Sequence, residues 1–182
     1  HESTTVWVDR LADLESTPEG RATGLVGFGG AAGLGHRDLY KYPMHDISRL
    51  ARSGYVSNTR DAEVHGRRST VHVFNLATLD GFALAIRGSL YPQASWDTCL
   101  NDGFLFHGYD HWMALRVREL GYGIAMLPVD CTHQGGGTEV AMGERYKAWC
   151  KSKGYTPEEL HRRSHEVLYN RFRNLLPILE VQ

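Results

Sequence analysis

One stretch limits the folds open to this chain more than any other. Met113-Ala114-Leu115-Arg116-Val117-Arg118-Glu119-Leu120-Gly121-Tyr122 runs directly into Gly123-Ile124-Ala125-Met126-Leu127-Pro128-Val129. In the first part, Met113, Ala114, Val117 and Leu120 recur at helical spacing, so one face is apolar, while Arg116, Arg118 and Glu119 suit the polar side. Gly121 is placed to stop that helix. The second part is short and apolar, the mark of a buried strand, and Pro128 ends it or puts it at an edge. A helix that passes at once into a buried strand predicts an α/β domain, with a sheet flanked by helices.

Composition fits that class. The 182 residues are long enough for one domain with a sizeable core. The formal net charge of −1, with acids and bases mixed, gives no bulk attraction to nucleic acid. Three widely spaced cysteines argue against a disulfide framework and point to a reducing, cytoplasmic setting. No apolar run is long enough to span a bilayer, and no signal peptide is visible.

Around this centre the other elements follow. Trp7 to Glu15 reads as a helix, and Gly24 to Phe28 as a strand entering a glycine-rich turn. Gly27-Phe28-Gly29-Gly30-Ala31-Ala32 fits a loose Gly-x-Gly-x-x-Ala pattern. A dinucleotide fingerprint needs a helix directly after it, and the residues from Gly33 to Pro43 do not read as one. A mobile loop over a substrate site is the expectation there. Asp80-Gly81 marks a tight turn or a close backbone approach, and the apolar run after it a buried strand. The tail predicts two helices. One covers Glu139 to Ser152. The other has Thr156 as N-cap, Pro157 at the first helical position and Glu159 three after the cap, and runs to about Leu176. His161 and His165 lie four apart on it and read as surface residues.

Several side chains can carry chemistry. Asp110 stands where a loop enters the 113–120 helix. A carboxylate there accepts backbone N–H groups and is favoured by the helix dipole, which is its structural reading. Its functional reading is a general base, which must sit within hydrogen-bond reach of the proton it removes. His133 follows the 123–129 strand and precedes Gly135 and Gly136, which permit close backbone approach. Cys131-x-His133 lacks the paired Cys-x-x-Cys spacing of a zinc site. Asp61, Glu63 and His65 alternate, so on an extended segment they share one face, a metal or sugar site if not a solvated loop.

The segment Gly108-Tyr109-Asp110, the arginine-bearing helix with Arg116, the Gly121-Tyr122 step, Pro128 and His133-Gln134-Gly135-Gly136 resemble the back half of the inverting glycosyltransferases of family 2, which have a GT-A fold. That family shows Gly-Glu-Asp-x-Asp before the helix and His-x-Gly-Gly after the strand. The sequence departs from it at Tyr109, where the family usually has Glu, and at Trp112, where a second acid is common. Thr78 to Arg87 looks like the family strand preceding the acceptor region, and Phe172 to Pro177 like its terminal helix. The front segment resembles the element just after the metal-binding Asp-x-Asp signature, but His1-Glu2-Ser3-Thr4 stands where the acidic pair should be.

The resemblance implies a GT-A-like mixed sheet flanked by helices, lacking the N-terminal nucleotide-binding half. It implies one partial domain over 1–182, with 138–182 as its C-terminal helical extension, and a partner or further segment to supply the donor-binding half. The implied reaction transfers a sugar from a nucleotide-diphosphate donor to a glycan, lipid-linked or protein acceptor hydroxyl with inversion. Asp110 is then the base. Asp80, Gly81, Trp96, Arg116, Gly135 and Gly136 contact donor or acceptor. His133, with Glu2, holds a manganese or magnesium ion. Such an enzyme would be cytoplasmic or peripheral to a membrane. Two other readings stay open: a non-catalytic glycan-binding or assembly module on a degenerate GT-A fold, and a metal-dependent hydrolase using Asp61, Glu63, His65 and His133.

Overall fold

Two strands that alternate apolar side chains between opposite faces build the centre. The computed structural model describes residues 4–34, 52–53, 56–58, 64–65, 69–104, 106–133, 137–176 and 178. Strand β1 (Thr23–Gly27) pairs in parallel with β8 (Gly123–Met126), and on its other side antiparallel with β7 (Leu84–Ile86). Successive strand residues point to opposite faces. Leu25, Ile124 and Met126 therefore enter one apolar cluster, and Val26, Ala125 and Leu127 the other. Parallel strands covered on both faces read as continuous apolar runs, which is why 123–127 shows no polar alternation.

Each face has its helix. Helix α1 (Thr4–Ser16) covers one, placing Leu14, Leu11 and Trp7 against Val26, Phe28 and Leu127. Helix α4 (Tyr109–Glu119) covers the other, with Trp112, Ala114, Leu115 and Val117 fully buried. Burying a side chain of this kind contributes roughly 1.5–3 kcal/mol. The buried stripe includes Trp112 and Leu115, while Met113 and Leu120 flank it half-buried. Gly121 follows with φ 85°, the left-handed stop expected of it.

Two smaller sheets sit beside this layer. β2 (Gly30–Ala31) lies between β3 (Arg52–Ser53) and β6 (Thr78–Leu79), all antiparallel. β4 (Val56–Asn58) lies antiparallel to β5 (Val64–His65) and parallel to β9 (Cys131–His133). The whole is a mixed α/β arrangement, with strands shared among three small sheets rather than gathered into one. The glycine run corrects an expectation here. Gly30 and Ala31 are not part of a mobile loop but of a strand, and a Cβ on Gly30 would stand 2.4 Å from the Thr78 carbonyl oxygen. The glycine is there because two backbones meet. The rest of the expected loop, from Gly35 on, lies outside the described residues.

A 3₁₀ turn (Gly88–Gln93) and α3 (Trp96–Asn101), with Ser95 accepting from the Thr98 amide, lead to α4. A four-residue helix, α2 (Pro18–Arg21), joins α1 to β1. In the tail, α5 (Gly137–Ser152) is kinked at Gly143, and α6 (Pro157–Phe172) follows. α6 ends at Phe172, four residues short of the expected Leu176, and its Leu168 and Phe172 reach into the cluster around Trp112. His165 is buried, not a surface residue, and its ring lies 4.3 Å from that of His161. Arg171 fastens this helix to the α4 side, with two 2.8 Å bonds to the Glu119 carboxylate and one to Asp102. The Arg171 guanidinium holds the Glu119 carboxyl below the usual carboxylate range. Among the described residues no helix is long and apolar enough to cross a membrane.

At the head of α6 the expected capping box is complete. Thr156 Oγ1 accepts from the Glu159 amide at 3.1 Å and Glu159 Oε2 accepts from the Thr156 amide at 2.7 Å. Thr156→Ala removes half of it and is expected to lower stability by about 1 kcal/mol, read as a shift in the urea midpoint at constant slope.

Candidate functional site

The turn between β6 and β7 organises the candidate site. Its backbone is pinned to the carboxyl end of β1: the Asp80 amide donates to the Gly29 carbonyl at 2.8 Å. Asp80 Oδ1 in turn accepts from the Phe82 amide at 3.2 Å, an Asx turn formed within two residues. The turn reading of Asp80 is therefore realised, and its exposed carboxylate also faces the start of α4. This is the end of the parallel β1–β8 pair beyond which open α/β sheets bind ligands.

Against the turn lies the first turn of α4. Gly108 is the N-cap, in the left-handed region at φ 77°, so Asp110 sits within the helix rather than at its cap. Its Oδ1 accepts from the His111 amide at 2.9 Å, satisfying one of the donors that a helix start leaves unpaired. The Tyr109 hydroxyl donates to the Gly81 carbonyl at 2.7 Å. Gly81 has no alternative: a Cβ there would stand 2.5 Å from the Tyr109 oxygen and 3.0 Å from Asp110 Cβ. One residue further, His111 Nδ1 shares a 2.7 Å hydrogen bond with the hydroxyl of buried Thr78. Three consecutive α4 residues thus hold or border the segment 78–81.

Electrostatics confirm the convergence. Burial first, then the Asp110 and Asp80 carboxylates, push the Tyr109 phenol up to about 12. Tyr109, the position where the sequence departs from the family pattern, ties the start of α4 to the 80–82 turn. The departure at Trp112 has a different cause: its indole is fully buried and donates to Asp102 at 2.7 Å, so this position serves the core. Cys99, buried behind α4, is pushed up to about 12 by burial and by Asp102 and Asp110, which leaves it a poor nucleophile.

On the two flanks stand an indole and an imidazole. Trp96, the first residue of α3, meets Tyr109 edge-on with ring centroids 5.3 Å apart and stays 38% exposed. His133, the last residue of β9, stacks on Phe82 at 4.8 Å, so the 80–82 turn separates it from the α4 carboxylate. Phe82 in turn leans on Phe28, which packs against Trp7. Asp110 and His133 therefore border the turn that carries Asp80 and Gly81, and Trp96 reaches it through Tyr109, the central residue the sequence reading missed. The signal was present, since Tyr109 stands inside the motif itself.

Arg116 is placed elsewhere. Its Nε donates to the Gln93 carbonyl at 3.0 Å and its guanidinium pairs with Glu119, so it ties α4 to the 3₁₀ turn. Glu2, Gly135, Gly136, Asp61 and Glu63 lie outside the described residues. His65 shares a sheet with His133, but pairs with Val56 where His133 pairs with Asn58. Among the described residues no three His, Cys, Asp or Glu side chains come together as a metal centre. Of the expected metal ligands, His133 is described and Glu2 is not. Comparison of the chain with protein-family models, curated proteins and solved structures finds no match.

Tyr109→Phe tests the tie to Gly81. With the phenol at about 12 in the native chain against an ordinary 10.0, the folded state keeps its proton longer than the unfolded chain. Its contribution is complete below pH 10 and is lost as pH rises towards 12. Phenolate absorbance should lose a component titrating near pH 12 in the variant. Loss of the bond to Gly81 should also cost about 0.5–1.5 kcal/mol in urea unfolding.

Proposed function

We propose that this chain is the acceptor-side portion of a GT-A-like glycosyltransferase of the family 2 type. It would transfer a sugar from a nucleotide-diphosphate donor to an acceptor hydroxyl with inversion. The observation that supports this reading is the meeting of Asp110, Asp80 and Trp96 on Tyr109, with His133 across the same turn.

In this mechanism Asp110 is the base. Its carboxylate takes the proton from the acceptor hydroxyl as that oxygen bonds to the anomeric carbon. The bond from that carbon to the donor diphosphate breaks, and its electron pair leaves with the nucleoside diphosphate. Attack opposite the leaving group inverts the anomeric centre. The hydrogen bond from the His111 amide fixes one carboxylate oxygen at the start of α4. Asp80, projecting from the pinned turn, orients acceptor hydroxyls as a hydrogen-bond acceptor. No step is assigned to a metal ion.

A non-catalytic glycan-binding module is the second reading, because an exposed indole held against Tyr109 suits a sugar with or without a donor.

Two measurements decide between them. Calorimetric titration with UDP and GDP, with and without manganese, reports whether a donor site lies within this chain. In the enzyme completed by its donor-binding half, Asp110→Asn is expected to lower transfer by about 10²–10⁴-fold, the range of general base catalysis. Unchanged turnover in the variant removes Asp110 from the mechanism and favours the glycan-binding module.

A further inference from the structure

Strand β7 is built like an interior strand but stands at an edge. Its residues alternate between the two cores, with Leu84 and Ile86 packed on the α4 side and Ala83 and Ala85 on the α1 side. Both of its faces are covered by the chain itself, yet it stays half-buried where its neighbour β1 is buried throughout. What remains open is the edge. β7 pairs with β1 on one side, and among the described residues no strand pairs with the other.

Unpaired main-chain groups at an edge invite another strand, and folded proteins blunt them with charge, proline or a bulge. The run Phe82-Ala83-Leu84-Ala85-Ile86 carries no charge and no proline. Its pairing with β1 runs without a register shift. Arg87, the first charge after it, is turned back into its own chain. Its Nε donates to the Thr23 carbonyl at 3.0 Å, and its guanidinium also meets Glu15 and the Gly20 carbonyl.

Register decides which groups point outward. In an antiparallel pair, residues that exchange main-chain bonds with the partner strand alternate with residues that do not. The Arg87 amide donates to the Gly24 carbonyl, one step beyond the Leu25–Ile86 pair, so Arg87 and Ala85 face β1. The N–H and C=O groups of Leu84 and Ile86 consequently point away from it. This outward series has clear ends. The Phe82 amide is taken by Asp80 Oδ1, and after Arg87 the chain enters the 3₁₀ turn.

The strand that fits this edge is β7 itself. A twofold axis through Ala85 sets Leu84 opposite Ile86 of the second copy, and Ile86 opposite its Leu84. Each pair then exchanges both main-chain bonds. On the α4 face, branched apolar side chains meet branched apolar side chains, and no charge meets a like charge. On the axis the two Ala85 Cα atoms come to about 4.5 Å, the non-hydrogen-bonded spacing, which small methyl groups admit. We propose that β7 pairs antiparallel with β7 of a second copy, joining two three-stranded sheets into one across a molecular twofold. This pairing needs neither a sugar nor a nucleotide, so it stands or falls apart from the transfer reading. So short a seam holds weakly, and the dimer is concentration-dependent.

Sedimentation equilibrium of the full chain, from micromolar to millimolar concentration, should show monomer giving way to dimer. Amide hydrogen exchange followed by NMR over the same series locates the seam. The Leu84 and Ile86 amides should slow several-fold as the dimer forms, while the Ala85 amide, bonded to β1 in either state, keeps its rate. Ala85→Cys puts a thiol on the axis, within disulfide reach of its symmetry mate. On oxidation it should give far more reducible dimer than the parent chain. A chain that stays monomeric throughout overturns the proposal, and so does a dimer whose Leu84 and Ile86 amides exchange as fast as in the monomer. A folded Ala85→Cys chain that dimerises without cross-linking overturns the twofold register. The exchange series itself needs no substitution, so it decides even if that variant folds poorly.

Discussion

Everything in this molecule hangs on the parallel pairing of β1 with β8, covered on both faces. Once Leu25 and Ile124 face α4, strand periodicity sends Val26 and Ala125 to α1. The carboxyl ends of both strands then point the same way. The backbone after β1 receives the Asp80 amide at Gly29, and the chain after β8 returns as β9 to place His133. The candidate site is therefore a consequence of strand direction. Side chains from three segments distant in sequence meet there because the sheet gives them one shared end.

The central elements were legible because their signals are local and redundant. The 113–120 periodicity, the Gly121 stop and the apolar 123–127 run all describe the same helix-to-strand step, and the structure repeats it. The Thr156, Pro157 and Glu159 cap was readable for the same reason, since each partner lies within one turn. Features that depend on distant partners were not. Gly30 reads as loop punctuation until the Thr78 carbonyl is brought against it. His165 reads as surface because its own spacing does not show that it is buried; its ring neighbour His161 is in turn met by His107 from the segment before α4. Arg116 reads as a donor- or acceptor-binding residue until Gln93 and Glu119 are seen to hold it.

The site itself was half legible. Asp110, Asp80, Trp96 and His133 were identifiable as chemically capable groups in a familiar pattern, but their mutual arrangement was not. Tyr109 shows why. By the pattern it is a substitution that removes an acid. In three dimensions it is the group whose hydroxyl reaches across to Gly81 and whose ring carries Trp96. A side chain that works by bridging two other segments leaves no mark in its own neighbourhood of the sequence.

The pairing of Thr23 with Gly123, and the arrival of Leu168 and Phe172 in the same core, have a kinetic consequence. The central contacts join segments separated by most of the chain, so loop closure must precede any reward from burial. On a ribosome, β1 would emerge long before β8 and α4 and longer still before α6, and would wait with its α4-facing side uncovered. Folding of this α/β core is thus a late, concerted event. Until β8 is made, the exposed β1 edge is the segment most in need of a chaperone's protection.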